Sequence, residues 1–184
     1  MLDAAALTGL TLLSLDDVPP FDETPETAAT FEDNALAKAR DGFAATGLPT
    51  VADDSGLEVA ALNGMPGVLS ARWAGVHGED AANTALLLAQ LRDVPDERRG
   101  AAFVSACALV SGSGEVVVRG EWPGAVAREP RGDAGFGYDP VFIPDGEDRT
   151  AAQLTSAEKD AMSHRGRALA LLLPALRTLA DQAL

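Results

Sequence analysis

The chain has 184 residues, 14 basic against 28 acidic side chains, a formal net charge of −14 and 47% hydrophobic residues. That length suits one domain, and the apolar share supports a buried core, which excludes disorder by composition. The acidic balance excludes broad electrostatic binding to a nucleic-acid polymer or an anionic membrane surface, and no apolar run reaches the ~18 residues of a membrane span.

Residues 1–7 lack the basic n-region and long apolar stretch of a signal peptide, so a cytoplasmic location is expected. Cys107 stands alone inside an apolar run and reads as a packed thiol without an intrachain disulfide. Lysine occurs only at Lys38 and Lys159, and histidine only at His77 and His164, so each is a conspicuous object in the search for chemistry.

Residues 10–15 form a short apolar run ended by Asp16-Asp17 and Pro19-Pro20, which predicts a strand leading into a loop. Residues 21–29 are acidic and loop-like. A helix is predicted next, with Thr30 as N-cap, Asp33 as its capping-box partner and Gly47 as the closing residue. Its apolar positions Phe31, Ala35, Leu36, Ala39 and Phe43 recur at helical spacing. Residues 49–52 predict a short strand running into Asp53-Asp54-Ser55-Gly56, and residues 57–62 a further strand turned by Asn63-Gly64.

Residues 64–78 are Gly-rich and irregular, with His77 in an exposed loop. A second helix is predicted over about 80–92, with Asp80 as N-cap and Ala81, Ala85, Leu86, Leu88 and Ala89 on or near one face. Residues 101–111 and 115–127 read as a hairpin of long strands joined by Gly112-Ser113-Gly114. A loop over 128–140, a strand fragment at 141–143 and a short helix near Ala151 follow. The last element is a helix over about 163–179, interrupted at Pro174, where a kink is expected because proline inside a helix costs ~3 kcal/mol. Without strict βαβ regularity, these elements predict an α/β fold with a mixed sheet flanked by helices.

Several chemistries are excluded by pattern. There is no G-x-G-x-x-G, no G-x-x-x-x-G-K-[ST], no H-E-x-x-H, no paired-cysteine metal site and no G-x-S-x-G elbow. Four constellations remain. Asp53 and Asp54 at a strand end suit Mg²⁺, which takes one or two carboxylates plus substrate phosphate, and equally suit an acidic turn. Glu26, near a helix start, is a candidate ligand or a carboxylate placed to suit the helix dipole. In Gly135-Phe136-Gly137-Tyr138-Asp139-Pro140 an aromatic between glycines has an unobstructed face for a nucleobase, and Asp139 an acceptor for a base edge; the other reading is a turn with a core aromatic. Finally, Lys159 precedes Ser163-His164-Arg165-Gly166, where a cation and a glycine in the first helical turn are both locally unfavourable. They point to a docked anionic or carbonyl group, or to a salt bridge of Arg165.

Taken together and in this order, these stretches resemble the inosine/xanthosine triphosphate pyrophosphatases. The resemblance is carried by Glu26-Thr27-Ala28-Ala29-Thr30-Phe31 with Asn34-Ala35 and Lys38-Ala39, then Ala52-Asp53-Asp54-Ser55-Gly56-Leu57 and Gly64-Met65-Pro66-Gly67 with Ser70-Ala71-Arg72. The Gly135-to-Pro140 motif, Glu158-Lys159 and Ser163-His164-Arg165-Gly166 complete it, over roughly residues 10–180.

The resemblance implies an α/β fold of two lobes with a substrate cleft between them, usually a homodimer. It implies Mg²⁺-dependent hydrolysis of ITP, dITP and XTP to the monophosphate and pyrophosphate. By matching position, Asp54 is implied as metal ligand and general base and Ser55 as a substrate contact. Phe136 is implied to stack on the purine with Gly137, Tyr138 and Asp139 completing that loop, Lys159 to hold the phosphates, and His164 and Arg165 to read the 6-oxo edge of the base. Glu26 and Asp53 are further candidate metal ligands.

The chain departs from the family pattern at Ala28, which replaces a glycine before the first helix, and at its start. Family members open with a strand and an [S/T]-x-N-x-x-K phosphate loop, whereas Met1-Leu2-Asp3 matches the tail of the following helix. Residues 1–184 are therefore expected to form one pyrophosphatase domain lacking its first strand. The competing expectation is a non-catalytic nucleotide-binding or regulatory relative that has lost its phosphate loop.

Overall fold

The computed structural model describes residues 9–22 and 24–182. The expectation for Met1-Leu2-Asp3 lies outside the described residues. In chain order the elements are α1 (Phe31–Thr46), β1 (Thr50–Val59), α2 (Asp80–Gln90), β2 (Gly100–Ser111), β3 (Gly114–Val126), β4 (Phe142–Pro144), α3 (Ser156–Met162) and α4 (His164–Gln182), with short 3₁₀ turns between them. The four strands form one sheet in the order β1-β2-β3-β4, with β3 and β4 antiparallel through Gly124–Pro144, Ala125–Ile143 and Val126–Phe142. The α/β class and the helix-flanked sheet expected from the sequence are present.

The chain divides into two compact units, one made of residues up to Asp54, Ser105–Gly120 and residues from Arg165 onward, the other of Ser55–Val104 and Glu121–His164. In the first unit, α4 presents Ala168, Leu172 and Leu176, spaced four apart, to Cys107 and Leu109. Cys107 is the buried free thiol that its apolar setting predicted, and burial raises its pKa. α1 starts at the Thr30 cap, whose hydroxyl accepts from the Asp33 amide at 3.1 Å, and ends at Gly47 with φ 71°, both as the sequence predicts.

The second unit has its own core of Leu57, Val59, Leu87, Leu91, Phe103, Trp122 and Phe142 among others. Phe142 meets Phe103 edge-on at 4.7 Å and Trp122 at 5.4 Å. Arg99 is buried in this unit and donates to the carbonyls of Leu91, Val126 and Ala127 at 2.6–2.8 Å, tying the end of α2 to the end of β3.

Five local expectations are corrected. Residues 10–15 are not a strand; the chain there is irregular until a 3₁₀ turn at Leu15–Asp17, and Leu12, Leu13 and Leu15 are exposed. The Asp53-Asp54-Ser55-Gly56 stretch is not a turn between two strands but the middle of one ten-residue strand. Sheet pairing overrides the weak turn preference of those residues. Asp80 is not an N-cap: that position belongs to Glu79, while the Asp80 carboxylate accepts from the Gly137 amide. The buried face of α2 is Asn83, Thr84 and Leu87, and Ala81, Ala85, Leu86 and Ala89 are exposed, because Asn83 and Thr84 turn inward to bond neighbouring loops. Last, α4 is not interrupted at Pro174 but continues as one helix to Gln182. Burying Leu172 and Leu176 on either side stabilises it by ~1.5–3 kcal/mol each, against ~3 kcal/mol for the proline.

Candidate active site

In the first unit, α1 and β1 bring together a charged cluster. Asn34 and Lys38 lie four residues apart and so share one face of α1. Asp54, on β1, is nearly buried; its Oδ2 accepts from Asn34 Nδ2 at 2.9 Å and its Oδ1 faces Lys38 Nζ at 3.4 Å. The same ammonium donates to Glu26 Oε1 at 2.8 Å. Asn34 Oδ1 accepts from the Ala28 amide at 3.0 Å, so the side-chain amide bridges the loop before α1 to the Asp54 carboxylate.

Burial raises the Asp54 pKa above the ordinary carboxylate value; the Asn34 hydrogen bond and the Lys38 charge only partly oppose it, and the Glu26 charge adds to it. Burial also works against the Lys38 ammonium, but the hydrogen bond to Glu26 and the charges of Asp54, Glu26 and Asp53 outweigh it, and its pKa is raised. The result is a carboxylate with enhanced proton affinity beside a firmly protonated lysine.

Asp53, the preceding residue on β1, points to the opposite face of the strand, and its Oδ2 accepts from Arg165 Nε at 3.0 Å. The salt-bridge reading of Arg165 is thus realised, while the charge of Asp53 also acts on Lys38.

Glu26 and Asp54 converge on one cationic point, now the Lys38 ammonium. Among the described residues no group of three or more His, Cys, Asp or Glu side chains forms a metal cage. One or two carboxylates are nonetheless what magnesium uses when phosphate and water complete its shell, so the donor set fits a metal that arrives with a phosphate ligand.

The second unit holds the other predicted constellation. Phe136 is 62% exposed and its ring lies 4.9 Å from Lys159 Nζ, the ammonium sitting over the ring face. Lys159 also pairs with Asp139, which is 2% exposed and accepts from the Phe136 amide at 2.9 Å. Gly135 is required here: it has φ 81°, and a Cβ would come 2.0 Å from Asp139 Oδ2. Gly137 donates to Asp80 Oδ2 at 2.6 Å and accepts from Thr84 Oγ1 at 3.3 Å.

Tyr138 points into the core, where its hydroxyl donates to the Ser70 carbonyl at 2.9 Å; burial raises its pKa. The exposed ring of the motif is therefore Phe136, and the core aromatic is Tyr138. Asp139 acts within the loop, holding Phe136 and Lys159. Glu158 caps α3 through Thr155, and donors from Thr155 and Arg149 hold its carboxyl down to about 2, which fixes the turn that carries Lys159. His164 is buried and stacks on Phe103 at 5.0 Å and 14°, at the first position of α4, with Arg165 and Gly166 in its first turn as expected. Ser55 is half-buried on β1.

The model of the Ham1 family matches residues 2–175. This chain belongs to the Ham1 family. It is similar to a dITP/XTP pyrophosphatase of Mycobacterium tuberculosis (strain ATCC 25618 / H37Rv), 83% identical over 180 residues that cover 98% of this chain and 88% of that protein. Among solved structures it resembles a nucleoside-triphosphatase / dITP/XTP pyrophosphatase from Mycobacterium abscessus, with TM-score 0.81 and 69% identity over 96% of this chain and 90% of that one. It also resembles a HAM1 protein from Coxiella burnetii, with TM-score 0.80 and 45% identity over 85% and 81% of the two chains.

Sequence reasoning gave site roles to neither Asn34 nor Lys38 in this Ham1-family chain, nor to Asp80 and Thr84. The signal for the first pair was available: two polar residues four apart on the helix face that also carries the buried Ala35 and Ala39. Nothing local in the sequence marks Asp80 and Thr84, because their partner lies more than 50 residues away.

Proposed function

We propose that the chain hydrolyses dITP, ITP and XTP to the monophosphate and pyrophosphate, acting on the aberrant purine nucleotides of the precursor pool. The observation that carries this is Asp54: a buried carboxylate of raised pKa, oriented by Asn34 and tuned by Lys38. Such a group accepts a proton from an attacking water more readily than an ordinary aspartate. The names of the similar mycobacterial proteins supply the substrate class and the pyrophosphate product.

Each end of the nucleotide has groups suited to it. Asp54 Oδ2 is held by Asn34, so proton transfer starts from a fixed carboxylate. Glu26 and Asp54 would hold Mg²⁺ with the substrate's own phosphate oxygens. When bound, the metal supplies charge neutralisation at the phosphoryl oxygens. Lys38, which contacts both carboxylates, would add a cationic donor for a phosphate oxygen.

Phe136 offers an exposed ring to the purine, flanked by Gly137 and Asp139, and Lys159 adds a cation for the phosphates. Donors from His164 and Arg165 match the 6-oxo acceptor of hypoxanthine and xanthine and mismatch the 6-amino group of adenine, with Asp53 orienting Arg165. Ser55, next to Asp54 on β1, is a further substrate contact.

Residues 1–184 make one pyrophosphatase domain in this reading. Family resemblance extends it to a cytoplasmic homodimer, and among the described residues no helix is long and apolar enough to cross a membrane. The test is product analysis with dITP, XTP, ATP and GTP in the presence and absence of Mg²⁺. Pyrophosphate release from dITP and XTP that requires the metal, with at least ~100-fold preference over ATP, is expected from donors that mispair with the 6-amino group. Release of inorganic phosphate, or turnover unaffected by chelation, rejects the proposal.

A further inference from the structure

We propose that Asp80 and Thr84, one turn apart on α2, are positioning residues that hold Phe136 ready to stack on the base; this rests on Phe136 being the base platform. The two peptide groups that flank the Phe136 Cα are each fixed by a carboxylate. The Phe136 N–H donates to Asp139 Oδ2 at 2.9 Å, and the Gly137 N–H donates to Asp80 Oδ2 at 2.6 Å. Because φ and ψ of Phe136 are the rotations between those two peptide planes, fixing both planes fixes its backbone conformation. Thr84, buried, donates to the Gly137 carbonyl at 3.3 Å and holds the far side of the same residue.

These bonds are needed because the usual sources of rigidity are missing. The Phe136 ring is mostly exposed, so burial does little to hold it. Its neighbours Gly135 and Gly137 have φ of 81° and 60°, in the region where glycine is permissive and the unrestrained chain samples many conformers. α2, by contrast, is a firm mount. Leu87 and Leu91 at its far end are buried in the core, and Asn83 accepts from the Ala74 amide at 2.7 Å and donates to the Ala71 carbonyl at 3.1 Å. Tyr138 closes the circuit by donating to the Ser70 carbonyl. The aromatic platform is thus tied to a helix that contributes no group of its own to the predicted motifs.

A loop that is only partly in its binding conformation weakens apparent affinity by the fraction competent, without altering the chemical step. With dITP as substrate, Asp80→Ala is expected to raise KM ~10-fold and Thr84→Val ~3-fold with kcat within twofold, while Asp80→Asn, which keeps an acceptor oxygen, recovers most of the parent KM. The deciding measurement is the double variant Asp80→Ala/Phe136→Ala. Its KM should equal that of Phe136→Ala alone, since a clamp has no effect once the ring it holds is gone.

Independent, multiplying effects would overturn the clamp and leave Phe136 as the base platform. A Phe136→Ala variant with parental KM would overturn both. Thr84→Val, close in shape to the native residue, carries the same cycle if Asp80→Ala does not fold.

Discussion

The cluster around Asp54 and the loop around Phe136 solve opposite problems. At Asp54 the chemistry needs a tuned proton, so the carboxylate is withdrawn from water and its partners are side chains mounted on regular elements, Asn34 and Lys38 on α1. At Phe136 the chemistry needs an open aromatic face, so the ring is left exposed and rigidity comes from hydrogen bonds to its backbone. The same residue type serves both regions differently. Asp54 is a buried acid whose proton matters, whereas Asp139 and Asp80 are acceptors that shape a glycine-bearing loop. Burial suits the group that reacts, and backbone restraint suits the group that must stay accessible.

The largest effect is expected at the reacting end. Asp54→Asn should lower kcat on dITP by ~10³-fold, the middle of the range for a general base, in a steady-state assay. The same variant should unfold at no lower temperature than the parent at pH 7. Since the folded-state pKa of Asp54 is raised, its contribution to stability is present at acid pH and is lost as pH rises through that pKa, so the ionised form weighs against the fold at neutrality.

Lys38→Met should cost ~10–100-fold in kcat/KM and shift the acid limb of the pH profile. Activity requires ionised Asp54 and falls as pH drops through its raised pKa. Lys38 lowers that pKa, so removing the ammonium moves the limb to higher pH. An unmoved limb would detach Lys38 from the proton chemistry.

At the other end, Phe136→Ala should raise KM for dITP ~10-fold with little change in kcat, the size of one lost base–aromatic stack. Gly135→Ala should approach the same KM while leaving the ring in place, because its Cβ would displace Asp139 Oδ2 and with it the bond to the Phe136 amide. The smallest effect is expected for Asp53→Asn, which leaves Arg165 a neutral partner. Its exposed ion pair is worth ~0–1 kcal/mol, so kcat/KM should change less than ~5-fold.

The sequence was most informative where one local rule sufficed. Thr30 and Gly47 bracket α1 because cap chemistry is local, and Gly112-Ser113 joins the long hairpin. The Gly135-Phe136-Gly137 motif pointed correctly to an exposed ring, with Tyr138 taking the core position that the alternative reading reserved for an aromatic. It failed where distant partners decide. Asn83 and Thr84 look like the solvated side of α2 until their carbonyl and amide partners are brought to them, and Asp80 looks like a cap until Gly137 claims its carboxylate. The sequence does not predict α3 although Thr155 and Glu158 spell its capping box, because its seven residues show no apolar period.

The division of labour between the two regions is tested most directly by equilibrium binding of dITP to Asp54→Asn, alone and combined with Phe136→Ala. In Mg²⁺-free buffer the single variant should bind no more weakly than the parent protein does, since it removes a negative charge near a triphosphate, and the added Phe136→Ala should weaken binding ~10-fold. Loss of binding in Asp54→Asn itself, or no further loss on removing the ring, would contradict the assignment of chemistry to one cluster and base recognition to the other.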